Sequence, residues 1–92
     1  LDVSNNPDLD TVYCHNNNLT YLDLRNGHTG ATSNPNVYGP PTMSATFHNN
    51  PSLAVIYVDS GYQCHLAWYP VSGLAAGAQF CNSPGVNCVP AN

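Results

Sequence analysis

Two Cys-His dipeptides, Cys14-His15 and Cys64-His65, hold the residue types best suited to chemistry in this chain. A cysteine beside an imidazole can act as an activated nucleophile, and the four residues together could bind zinc. Neighbouring residues of a β-strand point to opposite faces, so we expect Cys14 in the core and His15 outside. The dipeptides also lie 50 positions apart (14 to 64), without the short spacing of zinc ligands. The sequence therefore favours neither a catalytic site nor a metal site.

The five aspartates are a second source of chemistry, because glycosidases use a pair of carboxylates. Asp2 and Asp23 take the same place in Leu-Asp-Val and Leu-Asp-Leu, an exposed strand position that a sequence repeat explains without catalysis. The sequence contains no Ser-His-Asp arrangement, Gly-rich phosphate loop or metalloprotease motif. We therefore expect a protein that is not an enzyme and that uses no cofactor.

The charge balance argues against several classes of partner. Arg25 is the only basic residue, and the formal net charge is −4. Nucleic acids and anionic lipids are both bound through clusters of lysine and arginine. The chain also has no run of about 20 apolar residues, the length that crosses a membrane as a helix. We expect no nucleic-acid partner and no membrane insertion.

A sequence repeat positions the chemically interesting residues. The stretch from Asn5 to Cys14 aligns with the stretch from Asn49 to Val58 at an offset of 44 positions, with identical Asn-Asn-Pro, Leu and Tyr. A shorter unit, L-x-x-L-x-L-x-x-N, recurs every 10 or 11 residues where uninterrupted. Apolar residues two apart share one face of a short strand, and the Asn turns the chain because it tolerates left-handed backbone. The predicted core consists of Val3, Leu9, Val12, Cys14, Leu19, Leu22, Leu24, Phe47, Leu53, Ile56 and Val58.

These units resemble the leucine-rich repeats of secreted bacterial surface proteins, with the matching residues at 1–24 and 45–59. The resemblance implies a mainly β fold: a leucine-rich-repeat solenoid of short parallel strands with an irregular, partly helical C-terminal cap. The family's cap contains a Trp, a Phe and a Cys, which would here be Trp68, Phe80 and Cys81.

The expected layout divides the chain into two parts. The solenoid spans residues 1–59, with an inserted loop rich in Gly, Pro and Asn at about 26–44, and the cap spans 60–92. A short helix is expected over 61–69, ended by Pro70. Two layouts are open for each turn of the solenoid. One turn takes two repeat units and carries strands on two sides, or it carries a single strand, as in a horseshoe. The expected strands lie near 1–4, 11–15, 21–25, 45–48 and 55–59.

The four cysteines indicate a secreted or cell-surface protein. Three of them crowd the last third of the chain, a pattern typical of disulfides formed in an oxidising compartment. We expect at least one bridge among Cys64, Cys81 and Cys88, with Cys14 unpaired in the core. A Cys64–Cys81 bridge would tie the cap together and is slightly favoured over Cys81–Cys88, which would close a small turn-rich loop.

The outward strand positions hold the candidate binding residues. Tyrosine and histidine combine a large apolar area with a polar tip, which suits recognition of a protein or a glycan. Two short patterns add glycosylation candidates, Asn18 in Asn-Leu-Thr and Thr11 in Asp-Thr-Val. The binding candidates are Tyr13, His15, Tyr21, Arg25, His48 and Tyr57.

The ends of the predicted solenoid suggest assembly. The sequence starts inside a repeat, so Leu1 and Val3 would present core and an unpaired strand edge, while the other end would present Trp68, Tyr69 and Phe80. We therefore expect an extracellular structural module that self-associates head to tail, extending into a filament unless the contact closes a ring. Its partners would be copies of itself or other surface proteins. The alternatives are an adhesion module that binds protein or glycan, and the end of a longer surface protein.

Overall fold

Six short strands form two sheets in the part of the chain that the computed structural model describes, residues 1–25, 44–59 and 70–91. One sheet is the parallel pair β1–β3. The other has the order β2-β4-β5-β6, in which β2, β4 and β5 are parallel and β6 is antiparallel to β5. The strands are β1 (Thr11–Tyr13), β2 (Tyr21–Asp23), β3 (Ser44–Thr46), β4 (Val55–Tyr57), β5 (Gln79–Cys81) and β6 (Val89–Pro90).

The central apolar residue of β2, β4 and β5 in the larger sheet points into the core. Leu22 of β2 lies opposite Ile56 of β4, and Ile56 lies opposite Phe80 of β5. All three side chains are at most 2 % exposed. This row follows from the period-2 geometry of strands, because residues in register across parallel strands point to the same face. Replacing one member with alanine would remove a fully buried side chain, at about 2–5 kcal/mol.

The predicted core is confirmed. Seven of its residues are buried, and the other four are partly buried and pack against that cluster. The predicted core did not include Ala45, Ala78, Phe80 and Cys81, which are also buried. The buried set is Cys14, Leu22, Leu24, Phe47, Leu53, Ile56 and Val58, and the partly buried set is Val3, Leu9, Val12 and Leu19.

Asparagines turn the chain after the strands. Asn16 and Asn49 adopt left-handed backbone with φ of 59° and 56°, and Asn49 Nδ2 donates to Asn16 Oδ1 at 2.9 Å. Gly73 packs next in the row, also at positive φ (71°). A Cβ at Gly73 would lie 2.5 Å from Asn49 Oδ1, so only glycine fits there without displacing Asn49. The repeat predicted this conformation for its own asparagines, Asn17 and Asn50, whereas the left-handed backbone lies one position earlier, at Asn16 and Asn49.

The prediction of a leucine-rich-repeat solenoid is wrong, although the mainly β character is confirmed. The described residues form a small body of two sheets, one of them mixed, and contain no helix. Strand pairing joins Thr11 to Ser44 and Tyr21 to Val55, at offsets of 33 and 34 positions. The offset of 44 found in the sequence relates β1 to β4, which lie in different sheets.

The larger sheet ends in a reversal that the repeat pattern did not indicate. Strand β6 turns back antiparallel on β5, where a solenoid would add another parallel strand. The N-terminal stretch expected as a strand contributes a single parallel bridge from Asp2 to Asp23. The expected helix at 61–69 and most of the expected loop at 26–44 lie outside the described residues.

Candidate interaction surfaces

One disulfide links the last two strands of the larger sheet, β5 and β6. It joins Cys81 at the end of β5 to Cys88 just before β6, so the expectation of a bridge is confirmed and the preference for Cys64–Cys81 is wrong. A tight turn brings the two cysteines together: Val86 N donates to Ser83 O at 2.9 Å. The short link between two adjacent antiparallel strands thus favours local pairing of the cysteines. Cys64 lies outside the described residues.

Cys14 is buried and unpaired, as expected. Its Sγ donates to the backbone oxygen of Thr46 at 3.4 Å, while His15 Nδ1 contacts Thr46 Oγ1 at 2.7 Å. Burial raises the pKa of the Cys14 thiol above its ordinary value of 9.0, which favours the protonated, unreactive form. The thiol and the neighbouring imidazole therefore engage two different oxygens of Thr46 and do not form a nucleophile–base pair.

The candidate binding residues separate into two groups on two sheets. Tyr13, His15 and His48 lie on the β1–β3 sheet or directly after its strands. The rings of His15 and His48 stack in parallel with centroids 4.7 Å apart, and Tyr13 beside them is 69 % exposed. His48 Nδ1 is buried and has no hydrogen-bond partner among the described residues. This group is an aromatic surface, which we name the Tyr13 face.

The second group includes Arg25 and Tyr57, which together with Asp23 and Asn82 form a cluster that we name the clasp. Arg25 Nε and Nη2 donate to both carboxylate oxygens of Asp23, at 2.9 and 2.6 Å, and Nη1 donates to Asn82 O at 3.1 Å. The guanidinium also lies over the Tyr57 ring, 4.9 Å from its centroid. The hydrogen bond with Asp23 raises the pKa of Arg25. Arg25 thus ties β2 to β4 and to the turn after β5.

The clasp corrects one expectation from the repeat. Asp23 was predicted to be exposed like Asp2, but it is only 6 % exposed because Arg25 folds over it. Asp2 remains exposed, and hydrogen bonds from the Ser4 hydroxyl and backbone N–H lower the pKa of its carboxyl. Each carboxylate therefore has its own hydrogen-bond donor. No group of three His, Cys, Asp or Glu side chains within the described ranges could hold a metal ion.

The first residues of the chain form an open strand edge. Asp23 N donates to Leu1 O at 2.8 Å, and Val3 N donates to Asp23 O at 3.0 Å. The N–H and C=O of Asp2 point the other way, and no described residue bonds to them. Of the two assembly candidates here, Leu1 is 43 % exposed, whereas Val3 is half-buried against the core. Leu1 is therefore the better position for a substitution that tests this edge.

The opposite surface expected for head-to-tail contact is only partly within the described chain. Phe80 is buried at 2 % exposure, with its ring edge-on to Phe47 at a centroid distance of 6.0 Å. Phe80 therefore belongs to the core, and its assignment to a contact surface is wrong. Trp68 and Tyr69 lie outside the described residues.

The two glycosylation candidates differ in accessibility of their side chains. Asn18 is exposed in the turn between β1 and β2, and no described hydrogen bond uses its amide group. The hydroxyl of Thr11 donates to Asp10 Oδ1 at 3.1 Å. Of the two patterns, only the asparagine has a side chain without an internal partner among the described residues.

Sequence reasoning missed the buried polar residue Asn50. Its side chain is fully buried: Nδ2 donates to Phe47 O at 2.8 Å and Cys14 O at 3.1 Å, and Oδ1 accepts from Leu19 N at 3.1 Å. The repeat places an Asn here, which was the available signal. The pattern did not show that this Asn, unlike the exposed Asn17, would lie inside the molecule.

Comparison of the chain with protein-family models, curated protein sequences and solved structures gives no match. Among the described residues, no helix is long and apolar enough to span a membrane. The Tyr13 face and the strand edges are accordingly interpreted from their own geometry and chemistry.

Proposed function

We propose that this protein is a non-enzymatic extracellular module that associates with copies of itself or with other surface proteins through its unpaired strand edges. The observation that carries the proposal is the outward-facing backbone of Asp2, whose N–H and C=O bond to no described residue. An edge of this kind is a template for a strand from another chain. The only arginine supports the proposal indirectly, because the clasp occupies its guanidinium and leaves a surface poor in positive charge.

The extracellular part of the proposal is supported by the Cys81–Cys88 disulfide. Disulfides persist in oxidising compartments and are rare where glutathione keeps thiols reduced. The bridge also fixes β6 beside β5, which stabilises a small sheet without a large core.

The test is sedimentation velocity of the purified protein from about 10 μM to 1 mM, a range that covers weak association. Leu1→Lys places a charge on the open edge at a residue that is 43 % exposed. Val86→Lys is the matched control, because Val86 is also apolar and 46 % exposed but lies in the disulfide loop. We expect Leu1→Lys to weaken any association that uses the Asp2 edge and Val86→Lys to leave association unchanged. A wild-type protein that stays monomeric throughout the range contradicts the proposal.

A second candidate function, ligand binding, is favoured by the Tyr13 face. Its exposed phenol ring, stacked imidazoles and neighbouring threonine hydroxyls suit a neutral glycan, which offers apolar C–H faces and hydroxyl groups. Affinity electrophoresis in neutral polysaccharides tests this with Tyr13→Ala, and Tyr21→Ala on the other sheet is the control. Equal retardation of both variants and the wild type would exclude binding at this face.

A further inference from the structure

The outer edge of β1 has backbone groups that no described residue uses. Ser44 N donates to Asp10 O at 2.8 Å, and Cys14 N donates to Thr46 O at 2.8 Å. Alternate residues of a strand face the same neighbour, so Asp10, Val12 and Cys14 face β3. Thr11 and Tyr13 therefore present their N–H and C=O groups outward, and no described residue bonds to these groups. This edge offers donors and acceptors in alternation.

The two edges of the larger sheet are less suited to self-pairing. At one edge, the outward residue Asp2 carries a carboxylate, so two copies would face each other with like charges. At the other edge, Ala91 N donates to Ala78 O at 2.8 Å, which turns Pro90 outward. Proline has no N–H, and a short edge strand with proline resists pairing. The β1 edge has neither obstacle, because Thr11, Val12 and Tyr13 are uncharged.

We propose that two copies of this chain pair antiparallel through their β1 edges around a two-fold axis at Val12. This rests on the proposed function and names the partner and the register. Thr11 of one copy exchanges both backbone hydrogen bonds with Tyr13 of the other, and the symmetry repeats the exchange on the far side of the axis. The arrangement works because the edge is self-complementary: the outward residues lie one position on either side of Val12.

The side chains fit the same register. On the outer face, Thr11 and Tyr13 of opposite copies become cross-strand neighbours, a favourable pairing of a β-branched residue with an aromatic one. The 69 % exposed Tyr13 ring gains a contact. In this register Asp10 lies opposite Cys14 of the second copy, so the charged residue nearest the interface falls outside the Thr11–Tyr13 pairs. Such a contact uses the same surface twice and closes, giving a dimer and no filament.

Cysteine crosslinking tests the register. Val12 would face Val12 of the second copy in a non-hydrogen-bonded pair, about 4.5 Å between Cα atoms, which a disulfide can bridge. Thr11 would lie roughly 8 Å from its own counterpart, outside that range. Val12→Cys and Thr11→Cys are compared in a background with Cys14→Val and Cys64→Ser, under mild oxidation, by intact-protein mass spectrometry. We expect covalent dimer from Val12→Cys at about 10 times the level from Thr11→Cys.

Backbone substitution tests the hydrogen bonds. Thr11→Pro removes an outward N–H and leaves the bonds between β1 and β3 intact, so we expect the dimer dissociation constant to rise about 10-fold or more. Thr11→Ala keeps that N–H and loses only the side-chain contact with Tyr13, so its dissociation constant should rise less than that of Thr11→Pro. Circular dichroism establishes that each variant is folded.

The outcomes separate the two proposals. A wild-type chain that remains monomeric at 1 mM overturns both the proposed function and the dimer. Association that continues beyond a dimer, or that crosslinks equally through residues 11 and 12, overturns the β1 dimer alone and leaves association through another edge.

Discussion

Replacing Asn50 with alanine tests whether a buried amide holds the turns of this fold together. The Asn50 side chain is fully buried: Nδ2 donates to Phe47 O and Cys14 O, with a longer bond of 3.4 Å to His48 O, and Oδ1 accepts from Leu19 N. The bonds thus link the turn after β1 to the turn after β3. Alanine would leave these backbone groups without the partner they use now.

The size of the effect follows from the three shorter bonds. Each contributes about 0.5–1.5 kcal/mol net, and a buried group left without a partner costs about 1–3 kcal/mol. We expect Asn50→Ala to lower the free energy of unfolding by about 3 kcal/mol. Asn50→Asp should cost more at neutral pH, because it removes both donors and buries a negative charge beside two carbonyl oxygens. Part of that cost should disappear at low pH, where the new carboxyl is protonated and can donate.

Urea unfolding at 25 °C, followed by circular dichroism, measures these differences. Asn17→Ala is the matched control, because Asn17 Nδ2 also donates to Cys14 O, at 3.0 Å, but its side chain is exposed. Water can replace the amide there, so we expect a cost below about 1 kcal/mol. Equal costs for Asn17→Ala and Asn50→Ala would refute the argument that burial makes the Asn50 bonds important.

Three further substitutions probe the clasp, the buried thiol and the disulfide. Arg25→Met keeps an apolar stem but leaves the Asp23 carboxylate unpaired, so the free energy of unfolding should fall by about 2 kcal/mol. Adding Asp23→Asn removes the unpaired charge and should restore part of that loss. An absence of recovery would contradict the pairing of Arg25 with Asp23. Because burial raises the pKa of Cys14, the folded state retains a proton that the unfolded chain releases, and stability should fall as pH rises above the ordinary thiol pKa of 9.0. In urea unfolding, the free energy of unfolding of Cys14→Val should fall less steeply with pH than that of the wild type. An equal fall would contradict the role of the thiol. Cys88→Ser should cost about 2.5 kcal/mol through loss of loop closure and should make the unfolding midpoint insensitive to reductant.

The sequence predicted the core because local spacing determines which side chains point inward. Leu22 and Leu24, two apart, are both buried, and Ile56 and Val58 repeat the pattern. The same spacing predicted β1 to β4 within one or two residues at each end. It could not predict which strands pair, because similar short units can pair with any neighbour of suitable shape. The β1 and β4 stretches align best in sequence, yet they lie in different sheets.

Features that depend on contacts between distant residues were not predictable from the repeat. Strand β5 comes from an Ala/Gly-rich stretch with weak local preference, and it forms because β4 supplies its hydrogen bonds. Asp23 occupies the same unit position as Asp2 but is buried, since Arg25 two residues later reaches back to it. The candidate binding residues were found by type, but the pattern could not show that Arg25 and Tyr57 belong to a clasp and Tyr13 to an open face.

The positions of the charges set the sign of the salt dependence of association. Three exposed aspartates, Asp2, Asp8 and Asp10, lie in the first ten residues, beside the open edge of Asp2 and just before β1. The only arginine cannot offset them at a distance, because it is paired with Asp23 inside the clasp. Two copies meeting at this end therefore repel each other at low ionic strength, and salt screens that repulsion. Association between copies should strengthen from about 10 to 150 mM salt, where the screening length falls from about 30 to 8 Å. Association with a basic partner would weaken over the same range, so sedimentation at the two salt concentrations distinguishes a second copy from a cationic protein.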